Sequence, residues 1–185
     1  LLAQTAIAQT EVGITKDLPA VTLQADNGPV TINRIENTKS ESSGGWALTS
    51  RPFPDYCIQP HAAAEGVTAI GELELIEMLL SPDAVVAGSR TRDWFEGGTI
   101  PGAIHIPYAC VVDGLAQLGC EPDCDGWDCK AAKPVDLFCN GIWCGQPPTA
   151  IRNMISAGYP ANRIFYHRGS MQVWRLLGLT VIVSE

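Results

Sequence analysis

A cysteine that ends an apolar strand and precedes a helix by a short glycine-bearing loop is placed to react as a thiolate. The stretch from Phe138 to Pro148, Phe-Cys-Asn-Gly-Ile-Trp-Cys-Gly-Gln-Pro-Pro, has this form. Before it, Pro134 to Phe138 is an apolar run of strand length; after it, Ile151, Met154 and Ile155 recur at helical spacing until Gly158. Pro147 and Pro148 suit a first helical turn, whose amides have no intrahelical partner. Those amides and the helix dipole favour a Cys139 thiolate. The backbone amides of Asn140, Gly141, Ile142, Trp143, Cys144 and Gly145 are the candidate groups for stabilising an anion on that sulfur. The competing reading is an inert cysteine closing a core strand, and the two glycines at a strand-to-helix junction favour the reactive one.

Three further cysteines, Cys120, Cys124 and Cys129, follow a C-x3-C-x4-C pattern with Asp123, Asp125 and Asp128 between them. A zinc knuckle wants a fourth ligand and a tighter first pair, so at least one disulfide is expected here and no metal. Seven cysteines leave one over after pairing, and Cys139 is expected to be that one. Arg90 and Arg168 follow strand-like runs and are candidates for a supporting positive field at the loop, with carboxylate pairing to Asp93 or Glu96 the plainer role for Arg90. His105 and His167 read more simply as satisfied structural residues. Trp143 belongs at the loop mouth, and Trp94 and Trp174 in the core.

The elements that must position these groups alternate. Ala20–Ala25 and Pro29–Ile35 read as a hairpin turning at Asp26-Asn27-Gly28, which needs the main domain to lie on. A polar loop and a proline-rich arm, Arg51 to Pro60, follow. Leu73, Ile76, Leu79 and Leu80 mark an amphipathic helix with Glu72, Glu74 and Glu77 on its other faces. Strands are then expected at Ala84–Ala87, before Pro107, at Pro134–Phe138, at Arg163–Tyr166 and at Leu179–Val183, with helices near Trp94 and over Met171–Leu177. Such alternation implies a parallel sheet covered on both faces. The division expected is a signal-like segment over 1–10, an extension with hairpin and arm over 11–66, and an α/β domain over 67–185 carrying a cysteine-containing insertion at 113–133.

Of the 185 residues 46% are hydrophobic, a globular value, and the net charge of −8 opposes nucleic acid or an anionic membrane as a main partner. Residues 1–10 resemble the tail of an apolar signal segment with a small-x-small pattern at Ala6-Ile7-Ala8. With the cysteine content this predicts export, to a periplasm or a similar oxidising space. No stretch is long enough to span a bilayer, so an integral membrane protein is not expected.

Over residues 67 to 183 the chain resembles the rhodanese-like domain family, as an exported bacterial form of the sulfurtransferase type. Three segments carry the resemblance: Arg90 to Pro107, the Cys139 loop with its helix ending at Ala157-Gly158-Tyr159, and Arg168-Gly-Ser-Met-Gln-Val-Trp174. The resemblance implies a five-stranded parallel sheet and sulfane-sulfur transfer through a persulfide on Cys139, without a cofactor. It also implies a small sulfur-donor anion or persulfide as one partner, a thiophilic acceptor as the other, and room for a partner protein. Gly88 stands where the family commonly has Asp, Thr99 replaces a His, and Ser170 replaces a Gly. The loop is about two residues longer than the usual kind, and Cys144 stands near the place of its late basic residue. No Arg lies between Cys139 and Pro148, which argues against the phosphatase branch of the fold. Two alternatives stay open: a non-catalytic accessory or docking module, and a thiol–disulfide protein using Cys139 and Cys144. Cys144 is equally able to discharge a persulfide on Cys139 or simply to pack.

Overall fold

The computed structural model describes residues 12–25, 28–49 and 57–183. The signal-like segment, the hairpin's Asp26-Asn27 and the arm up to Tyr56 lie outside the described residues. The N-terminal hairpin is present, with β1 (Val21–Ala25) antiparallel to β2 (Gly28–Ile32). Next come β3 (Thr68–Ile70), α1 (Glu72–Leu80), β4 (Val85–Gly88), α2 (Arg92–Glu96) and β5 (Ile104–His105). The insertion holds a small antiparallel hairpin, β6 (Glu121–Asp123) with β7 (Gly126–Asp128). The chain then forms β8 (Val135–Phe138), α3 (Gln146–Ser156), β9 (Ile164–His167) and α4 (Ser170–Leu176). The main sheet is parallel, in the order β3-β9-β8-β4-β5.

Strand β8 is the middle strand, and all four of its residues are buried. Its alternate side chains serve two cores, as period-two strand geometry requires. Val135 and Leu137 enter the core under α3 with Ile151 and Met154, while Phe138 enters the other with Leu75, Ile76 and Trp174. Val21, Leu23 and Ile32 of the first hairpin belong to that second core, so the hairpin does lie on the domain.

Four expectations are corrected. Leu179–Val183 is not a sheet strand; it makes only isolated bridges, Leu179 to Arg34 and Ile182 to Thr99. The fifth strand is β3 instead, a three-residue run at the sheet edge, too short to stand out beside the helix that follows. On α1 the buried pair is Leu75 and Ile76, whereas Leu73 and Leu80 are exposed. The face follows 72, 75, 76 and 79, which turns Glu72 inward at the helix start. Trp94 is 46% exposed and packs edge-on against Trp46, while Trp174 is fully buried as expected.

Candidate active site

Strand β8 delivers Cys139 at its carboxyl end, and α3 begins seven residues later with Gln146. Pro147 and Pro148 occupy the first turn of α3 and are buried. The intervening loop is fastened from below by the start of α4: Met171 N–H donates to Cys139 O (3.2 Å) and Gln172 N–H to Asn140 O (3.0 Å). Trp143 Nε1 donates to Gln172 Oε1 at 2.9 Å. A Cβ on Gly141 would stand 2.6 Å from that same oxygen and 2.7 Å from Trp143 Nε1, so a larger residue would displace this contact. The amide of Cys139 itself donates to Ser170 Oγ (2.9 Å), and that hydroxyl donates to His167 O (2.9 Å). Ser170 holds φ +53°, the left-handed region in which glycine is at ease. The serine tolerates that conformation while its hydroxyl bridges two backbone groups.

Cys139 is bonded to Cys144, so it is not the unpaired cysteine. The reason is local: Cys144 N–H donates to Gly141 O (2.9 Å), closing a turn that returns Cys144 to the strand end. That amide is thereby committed within the loop and drops out of the candidate anion-binding set. Both sulfurs are buried, and the Gln146 carboxamide lies against them, with Oε1 3.1 Å from Cys139 Sγ and 3.6 Å from Cys144 Sγ. In the dithiol form either S–H can donate to that oxygen; toward a thiolate the amide must present its NH2 end. A wide cleft of about 1370 Å³ between Val12–Lys16 and the chain after α4 includes none of these loop residues.

Neither arginine sits free at the loop. Arg90 is fully buried, its Nη2 donating to Gly98 O (2.8 Å) and its Nη1 reaching Asn140 Oδ1 at 3.4 Å. Its guanidinium lies over Phe95 and Phe138, 5.7 and 5.6 Å from the ring centroids. Burial, with a smaller push from Arg175, lowers its pKa to about 10. The carboxylate pairing with Asp93 or Glu96 is not made; Glu96 pairs with Arg92. Gly88 leaves no room for a side chain that could balance Arg90: a Cβ there would meet the Phe95 ring at 2.7 Å. Aromatic faces therefore stand where the acid would be. Arg168 is turned to the arm, its Nε and Nη2 donating to Gln59 O at 3.0 and 2.7 Å. Gln59 N–H in turn donates to Ile142 O (2.9 Å), which ties the arm across the outside of the loop.

Beneath the loop two buried titratable groups have no side-chain hydrogen-bond partner, Asp136 on β8 and His167 on β9. Burial raises the Asp136 carboxyl well above the usual carboxylate range, against a smaller downward pull from backbone amides of His167 and Leu137. Burial lowers His167 to about 4, so its 3.9 Å approach to Glu72 is not an ion pair near neutrality. His105 Nε2 meets Arg90 O at 2.9 Å and its ring stacks on Phe95, a structural role.

In the insertion Cys120 is bonded to Cys129, meeting the expectation of a staple, and Cys124 is an exposed thiol. Gln146, Gln59, Gln172 and Ser170 were not among the residues singled out for the site. Only Ser170 carried a signal, as a hydroxyl residue in a glycine position.

No family model matches the chain. It is 31% identical over 113 residues to the HTH-type transcriptional regulator Rv0324 of Mycobacterium tuberculosis (strain ATCC 25618 / H37Rv), covering 61% of this chain and 44% of that protein. The chain thus spans less than half the length of that curated relative. Among solved structures it is similar to the BH2092 protein from Bacillus halodurans (TM-score 0.51, 18% identity, 63% of this chain and 77% of that one). It is also similar to thiosulfate sulfurtransferase from Pseudomonas aeruginosa (TM-score 0.47, 24% identity, 64% and 21%). With β8 central in a five-stranded parallel sheet and helices on both faces, the fold is rhodanese-like.

Proposed function

We propose that the protein is a sulfurtransferase that carries sulfane sulfur as a persulfide on Cys139. The observation that carries this reading is the placement of Cys139: it ends the central strand and its sulfur touches the first residue of α3. A helix start and a loop of backbone amides lower the energy of an anionic sulfur there. Neither candidate cation is free for the sulfurs, since Arg90 and Arg168 donate elsewhere. One charge-assisted contact fewer costs about 1.5–3 kcal/mol, or roughly tenfold to a hundredfold in affinity. The donor is therefore a persulfide or polysulfide in preference to thiosulfate.

The test is the intact mass of the reduced, desalted Cys144→Ser variant, in which the neighbouring sulfur cannot compete, after incubation with each donor. A gain of one sulfur that maps to Cys139 supports the carrier. Absence of sulfur uptake from every donor while Cys139 is a free thiol defeats it, and leaves the accessory or docking module. A second reading, a thiol–disulfide protein, is favoured by the bond between Cys139 and Cys144. It requires reversible exchange with an external dithiol and no sulfur uptake. Export is part of the proposal, supported by two disulfides in one chain; recovery of the native protein in a cytosolic fraction would contradict it.

A further inference from the structure

We infer that Cys144 is a resolving cysteine that discharges the Cys139 persulfide as hydrosulfide, making the site a persulfide reductase that depends on an external dithiol. This rests on Cys139 being the sulfur carrier. The loop is fixed along its length, by α4 amides at Cys139 and Asn140, by the Gln172 carboxamide at Trp143 and by the arm at Ile142. What this fixation leaves beside Cys139 is the sulfur of Cys144, brought round by the turn to Gly141. Cys139 and Cys144 are 0% and 5% exposed. A bulky acceptor must open the loop to reach a sulfur on Cys139, whereas Cys144 is already within bonding distance. Intramolecular attack from a positioned group has the advantage of high effective concentration.

The step balances. The Cys144 thiolate attacks Cys139 Sγ, the inner sulfur of the persulfide; the Sγ–Sγ bond forms and the bond to the outer sulfur breaks. The outer sulfur leaves as hydrosulfide with the electron pair, so it is reduced and the Cys144 sulfur is oxidised. The product is the bonded pair seen in the structure. A dithiol reductant, itself oxidised to a disulfide, restores both thiols. The Gln146 carboxamide, in contact with both sulfurs, is the polar group placed to follow the charge from one to the other.

The experiment uses the full chain with Cys110→Ser and Cys124→Ser, which removes the two exposed thiols. The protein is reduced, desalted and given one equivalent of glutathione persulfide, with released sulfide and non-reduced peptide masses followed in time. The expected result is one hydrosulfide per chain with the Cys139–Cys144 disulfide formed, without added thiol. With Cys144→Ser the sulfur accumulates on Cys139, and sulfide appears about tenfold or more slowly. A chain that keeps both its extra sulfur and a free Cys144, or a Cys144→Ser variant that releases sulfide at the parent rate, overturns the proposal. So does a glutathionyl adduct on Cys139 in that variant, because the disulfide then arises without a persulfide. If sulfur never reaches Cys139 in either protein, the carrier reading fails with it, and that result is distinct from loading without discharge. Cys144→Ala repeats the variant arm should the serine disturb folding, and the sulfide stoichiometry of the parent chain stands without either.

Discussion

The molecule holds two disulfides in different surroundings. Cys120 and Cys129 bracket the β6–β7 hairpin, nine residues apart in an insertion outside the main sheet. Both are buried with Val111, Leu115 and Leu118, so this bond joins the base of a loop to an apolar wall. Cys139 and Cys144 stand at the end of the central strand, against a carboxamide and the start of a long helix. Burial is nearly equal in the two pairs. On the proposed function, what separates the staple from the loop pair is the company each sulfur keeps: apolar side chains lower nothing for an anion, whereas a helix start and an amide do.

The largest expected effect falls on the loop pair. In a Cys144→Ser background, where sulfur stays on Cys139, Cys139→Ser abolishes sulfur loading, measured by intact mass, whereas Cys120→Ser with Cys129→Ser leaves it in place. Loss of loading in the insertion variant would erase the contrast. Gln146→Glu sets a carboxylate against both sulfurs, opposing the thiolate; loading should slow about tenfold or more. The thiolate absorbance titration should shift upward in pH, and an unchanged titration would remove Gln146 from the site.

Acidification should separate the strand floor under the loop from the insertion. His167 has a folded pKa of about 4, below its ordinary 6.5, so the unfolded chain takes the proton first. The stability it contributes is complete above pH 6.5 and is lost as pH falls toward 4, a change of about 3 kcal/mol. Asp136 acts with the opposite sign from about pH 3.8 upward, across the same window, because burial keeps its neutral form. The stability difference between the parent chain and His167→Leu, read from denaturant midpoints, should fall by about 3 kcal/mol from pH 6.5 to 4, and a constant difference would show that His167 is not the group responsible.

Opening the staple with Cys120→Ser and Cys129→Ser should cost about 2–3 kcal/mol in the chain-entropy model, read by chemical denaturation. The smallest effect is expected at Ser170. Ser170→Gly loses the hydroxyl bridge but relieves the left-handed φ, worth about 1 kcal/mol, so it should cost about 1 kcal/mol less than Ser170→Ala. Ser170→Ala keeps the strain and leaves the Cys139 amide unsatisfied, so it should cost about 1–3 kcal/mol. Equal stability of the two variants would refute this division.

The strand, loop and helix around Cys139 were legible because each has a local cause: apolar run, glycines and polar loop, prolines in a first turn. The staple was legible from spacing, and the hairpin from alternation. Arrangements set by distant chain were not. Leu179–Val183 has a strand's composition, yet the sheet edge it would join is held by Thr68–Ile70, and only three-dimensional competition decides that. Arg90 and Arg168 were candidates for a positive field at the loop, but their guanidiniums donate to Gly98, Asn140 and Gln59, partners that spacing does not reveal. By itself the sequence determined which cysteine ends the central strand and which elements flank it, because those depend on neighbours within a few residues. Only the tertiary structure decided that Cys144 closes onto Cys139, that Gln146 attends both sulfurs and that the arm crosses the loop. These depend on a turn's direction and on contacts more than 80 residues apart in the chain, such as Gln59 with Ile142 and Arg168.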